Sequence, residues 1–178
     1  VKEFKYYAPL DPILFTEAEN LINDYRSGKK TASEVFDIEK LATNYAIADL
    51  TNTHHALRWH NNRFYLNPRS KKLEPIGFDG SSWYDLTKFA FEDPKLNEFV
   101  LKNLLKDEHF KTHYFNELAR VSNPKFIDDF FENKKNEVTQ IENKIFKQDV
   151  FFSNDYQYLY DNATWIRENL ADYKTRLN

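Results

Sequence analysis

The chain reads as one mainly α-helical domain, residues 1–178, with a single small β-hairpin inserted after its second long helix. Three observations predict this. Helix-start signals recur along the chain, each a Thr, Asp or Asn placed just before an apolar-periodic run. The apolar residues that follow repeat at helical spacing. Only the stretch from Thr51 to Trp83 departs from that pattern, with two short strand-like runs around a polar turn.

Taken in order, 1–15 is punctuated by Pro9 and Pro12 and is expected to be an irregular lead-in. Thr16 and Glu19 have capping-box spacing and open a helix to about Arg26, closed by Ser27 and Gly28; Thr31 and Glu34 repeat the signal over a short turn. Asp37 caps a helix to about Leu50, with Ile38, Leu41, Ala42, Tyr45 and Ala48 as its apolar stripe. Arg63–Leu66 and Leu73–Ile76 are the two strands, and Asn67 to Lys72 supplies the turn. Asp93-Pro94 starts the next helix, to about Leu105, with Pro at its first position. Asp107 caps another, which carries His109, His113 and Leu118. Asn123-Pro124 opens a long helix through Ile127, Phe130, Phe131, Val138, Ile141 and Ile145, and a last helix covers about Asp155 to Leu177. The aromatic set Phe89, Phe91, Phe99, Phe110, Tyr114 and Phe115 is expected in the core.

Composition narrows the function classes. The net charge of −3 is near neutral, with acids and bases interspersed and no basic stripe, so nucleic acid is not an expected partner. No apolar run approaches the ~18 residues of a membrane span. The absence of cysteine excludes thiol catalysis, disulfides and cysteine-bound zinc. With three glycines in the whole chain, no phosphate-cradling loop of the GxGxxG or GxxxxGK kind exists.

The candidate chemistry lies in the block 37–83. Three of the five histidines, His54, His55 and His60, fall within seven residues, and Trp59 sits among them. A hairpin can hold one group before its first strand and another after its second within a few ångströms. Asn61 and Asp79 are so placed, and both offer oxygen to a hard cation such as Mg²⁺. Helix, polar loop, Asn, hairpin, Asp-Gly is also the order of a protein-kinase catalytic lobe. Taken singly, Asn61 and Asp79 read equally as a strand-start Asn and a turn Asp, and the histidines as loop residues that hydrogen-bond the backbone. A histidine metal site stays open as well, although no zinc signature is complete. The helix-face triplet His109, His113 and Glu117 reads as a solvated face.

Over Asp37–Trp83 the chain resembles the CotH kinase family, the atypical kinases related to spore coat protein H. The features that carry the likeness are the helix DIEKLATNYAIADL, the short polar loop, His60-Asn61 ahead of RFYL with Tyr65 in the family's HN-x-x-x-Tyr position, and LEPIGFDGSSW. The resemblance implies a protein-kinase-like C-terminal lobe that uses Mg²⁺ and ATP, a protein phosphoacceptor, and an N-terminal lobe not recognisable before Asp37. It also points to a site outside the cytoplasm or on a cell or spore surface. Asn61 and Asp79 would be the metal ligands, with Asp79 also counted as catalytic. His54, Trp59 and His60 would contact substrate or nucleotide. Two departures stand out. Where the family places its catalytic Asp, this chain has His54-His55-Ala56, which leaves His55 as the candidate base. Where the family has the first Asp of Asp-x-Asp, this chain has Gly77. The alternative is a catalytically inactive kinase-like surface or assembly protein.

Overall fold

The computed structural model describes residues 11–80, 85–94, 96, 103–151 and 155–177. It is mainly helical, with one two-stranded antiparallel sheet. The elements in chain order are α1 (Pro12–Arg26), α2 (Ala32–Val35), α3 (Ile38–Leu50), β1 (Arg63–Leu66), β2 (Leu73–Ile76), α4 (Glu108–Val121), α5 (Pro124–Phe146) and α6 (Gln157–Leu177); 3-10 turns cover His54–Leu57 and Ala90–Glu92.

Local chemistry explains most of the boundaries. Asp37 caps α3 through the Lys40 amide, Asp107 caps α4 through the His109 and Phe110 amides, and Asn123 caps α5 through the Lys125 amide ahead of Pro124. Glu34 closes the α2 capping box on the Thr31 amide at 2.7 Å. The expected lead-in was too long. The first helix begins at Pro12, because the Asp11 carboxylate accepts from the Ile13 and Leu14 amides and Pro12 is pre-set for the first helical position. The helix expected after Asp93-Pro94 falls largely on residues outside those described, as do Phe99 and Trp83. The 3-10 turn before it, held by the Phe89 amide on Glu92, was not expected.

The core sits where α3 crosses α4 and α6. Leu41, Ala42, Tyr45, Ala46, Ala48, Asp49 and Leu50 of α3 are all buried, a wider surface than the expected stripe, because the hairpin and the 3-10 turns cover its flanks. Rings fill the crossing. Tyr45 stacks on Phe91, Phe89 stacks on Tyr173, and Phe110 and Tyr114 meet Phe91 edge-on. The hairpin pairs in the expected bounds, with Arg63 opposite Ile76 and Leu66 opposite Leu73. It is tied to α3 by a parallel bridge between Phe36 and Leu73, by the Asp37 amide on the Leu73 carbonyl at 2.9 Å, and by a Lys40–Glu74 ion pair at 2.8 Å. Phe36 and Phe64 pack between strand and helix, and Tyr25 of α1 closes that row edge-on. The loop His54–Asn62 is thus strung between two anchored elements. The expected α5 stripe is buried mainly at Ile127, while Phe130 and Ile141 are exposed.

Candidate functional site

The hairpin does bring its two ends together. Asn61 Nδ2 donates to Asp79 Oδ2 at 3.0 Å and to the His55 carbonyl at 3.0 Å, so one amide group bridges the loop and the residue after β2. His55 Nε2 lies 3.9 Å from the other Asp79 oxygen. Asp79 is exposed and adopts a left-handed backbone, φ 54°, which Asp tolerates better than most residues and which aims its side chain back over the hairpin. The turn reading and the paired reading of Asp79 therefore describe one geometry. The left-handed turn is what delivers the carboxylate to Asn61.

Beside this pair lies a cleft of about 670 Å³. Its floor is the α3 face with Asn44, Ile47, Ala48 and Thr51; its rim is Thr53, Asn62 and the segment Ile76–Gly80, with Tyr158 of α6 opposite. Asp79 belongs to that rim. Trp59 lies instead under the Arg26 guanidinium, 5.6 Å away, and packs toward the end of α1. His60 is exposed, and its carbonyl accepts from Arg63 Nη1.

His54 faces inward, away from Asn61 and Asp79. It is buried, and its Nε2 lies 2.8 Å from Asp49 Oδ1. Asp49 is a residue that sequence reasoning missed. Fully buried near the end of α3, it also accepts from the Ala90 amide at 2.7 Å and from the Tyr114 hydroxyl at 2.5 Å. Burial, followed by the adjacent Asp49 carboxylate, holds the Tyr114 phenol well above its ordinary pKa, so it stays a donor. One carboxylate thereby joins the loop, the segment after the hairpin and α4. Its signal was in the sequence: Asp49 stands four residues after Tyr45 and eight after Leu41, on the buried stripe itself. Asn162 of α6 makes a second such junction, accepting from the Leu86 amide at 2.6 Å and donating to the Leu50 carbonyl at 3.0 Å.

For cations, no group of three or more His, Asp or Glu gathers among the described residues. On α4, Glu117 is engaged by Arg120 and by Thr43, and it does not join His109 and His113 in a shared site. At the hairpin, the oxygens that a hard cation could use are the Asp79 carboxylate and, with its amide turned, the Asn61 oxygen. No family model matches the chain, and comparison with curated proteins and with solved structures returns no significant match. Among the described residues no helix is long and apolar enough to cross a membrane.

Proposed function

We propose that this chain is the C-terminal, catalytic-loop lobe of a CotH-like atypical kinase, with Asn61 and Asp79 as the metal end of a Mg-nucleotide site on the α3 cleft. The observation that carries the reading is the 3.0 Å contact between Asn61 and Asp79 across the hairpin, at the rim of a cleft large enough for a small-molecule ligand. The donor types fit Mg²⁺, which takes few protein oxygens and keeps the rest of its shell for water and phosphate. Bound with a nucleotide, the ion would neutralise phosphate charge. Accommodating it means turning the Asn61 amide and giving up both bonds of its Nδ2, to the His55 carbonyl and to Asp79, so that the Asn61 oxygen and the Asp79 carboxylate would face the ion together. His55, next to Asp79, is the group able to take a proton from a protein hydroxyl acceptor. The covering of the nucleotide falls to a lobe outside the residues described.

A specific observation favours an inactive, kinase-like assembly module as the second reading. The loop carries no carboxylate at the base position, and the one that precedes it in the chain, Asp49, is buried and bound by Ala90, Tyr114 and His54.

Calorimetric titration of the intact protein with ATP, with and without Mg²⁺, tests both readings. Mg-dependent binding is expected, weakened at least about tenfold in Asp79→Ala, which corresponds to ~1.4 kcal/mol. Binding without phosphoryl transfer to any protein acceptor assigns the inactive module. No Mg-dependent binding, or binding indifferent to Asp79→Ala, overturns the nucleotide site.

A further inference from the structure

We propose that the outward stripe of α5 is a self-association surface on which two copies of this chain pair helix against helix in antiparallel sense. The other side of α5 is already engaged. Ile127 enters the core, the Phe131 ring meets Tyr156 at 4.6 Å, and Tyr156 and Tyr160 of the α6 region donate to Glu142 and Asp128. Phe130 and Ile141 are left 49% and 56% exposed. With Lys134 and Glu137 they form a line at helical spacings of four, three and four residues.

Single exposed apolar residues are ordinary. The order along this line is what points to a second copy. Within one chain Lys134 donates to Glu137 at 2.8 Å. Apolar, Lys, Glu, apolar is symmetric about its midpoint, so in an antiparallel pair Phe130 meets the second copy's Ile141 and the two Lys134–Glu137 pairs face each other in reverse order, Lys against Glu twice. A two-fold interface requires that self-complementarity. The wider charge pattern agrees. Leaving out Asp128 and Glu142, which face the α6 region, Pro124–Glu132 holds two acids and one base, whereas Asn133–Lys147 holds four bases and one acid, so reversal sets the acidic part of one helix against the basic part of the other. The seam is about 34 Å long at 1.5 Å per residue. A single pair of helices of that length lies at the small end of specific interfaces, which makes the dimer weak and concentration-dependent.

Light scattering or sedimentation of the full chain across the micromolar range, up to about 100 µM, should show reversible dimerisation. Lys134→Glu alone and Glu137→Lys alone each place like charges twice across the seam and should leave monomers. An equimolar mixture of those two variants should restore dimers, because every contact then joins opposite charges. Phe130→Asp should also give monomers that keep the helical content of the parent chain. If that variant fails to fold, the charge pair and its mixture decide the matter. A wild-type chain that stays monomeric over the range overturns the proposal, as does a dimer indifferent to both charge reversals.

Discussion

Asp49 and Asp79 are carboxylates on either side of the same loop and hairpin, and they are built in opposite ways. Asp49 is fully buried and engaged by a backbone amide, a tyrosine hydroxyl and an imidazole drawn from three parts of the chain. Asp79 is exposed, sits on a left-handed turn, and touches Asn61 and His55. A buried acceptor with several partners holds architecture, because removing it strands every donor that faced it. An exposed carboxylate with an open side is free to exchange its contacts for a ligand. Two aspartates within reach of the same histidine pair thus differ in kind: Asp49 fixes the loop through His54, and Asp79 lies exposed beside His55.

The sharpest way to break this contrast is to remove each carboxylate in turn. Asp49→Ala leaves the Tyr114 hydroxyl, the Ala90 amide and His54 without their acceptor and should destabilise the fold by about 3 kcal/mol or more. Asp79→Asn, which removes the charge and still suits the left-handed backbone, should change stability by no more than ~0.5 kcal/mol, the usual range for an exposed position. Urea melts of the two variants beside the parent chain measure both. Equal losses would mean that Asp79 is as structural as Asp49.

A second buried junction sharpens the same point with a smaller effect. Asn162→Ala removes the acceptor of the Leu86 amide and the donor to the Leu50 carbonyl and should cost about 2 kcal/mol. It should also loosen the segment after the hairpin, which hydrogen exchange at the Leu86 amide would report.

An effect that depends on pH belongs to Asp107, between these extremes in exposure. Burial pushes its pKa up, but hydrogen bonds from the Ser33 hydroxyl and amide and from the Phe110 and His109 amides outweigh it, so the net shift is downward. A carboxylate depressed in the folded state contributes stability that is complete above its unfolded pKa, about 4 for Asp. That contribution fades as the pH falls through the lower folded value. Thermal melts of Asp107→Asn and the parent should therefore differ most above pH ~4 and converge in stronger acid. A constant difference at all pH values would show that the charge of Asp107 plays no part.

The local grammar of the fold was legible. Asp37, Asp107 and Asn123 act as the caps they resemble, and the hairpin strands run between the expected residues, because each of these features is decided within a few residues of chain. The approach of Asn61 to Asp79 was legible for the same reason, since a hairpin is a local structure. Asp49 was not recognised, although its helical phase marked it as buried, because two of its partners lie 41 and 65 residues further on and polarity suggested a solvated end. The inward turn of His54 followed from that omission. On α5 the apolar stripe was visible, but which side of it the neighbouring α6 region would cover depended on packing that no local pattern encodes.

The positive φ of Asp79 has a consequence for how this position can vary. Of the side chains that a single nucleotide change can put in place of aspartate, asparagine and glycine also accept a left-handed backbone, whereas valine and tyrosine resist it. The charge at the rim of the cleft can therefore vanish in one mutational step with the turn undisturbed. A descendant altered in this way would fold as before and keep the outline of the site while lacking the one acidic member it has among the described residues.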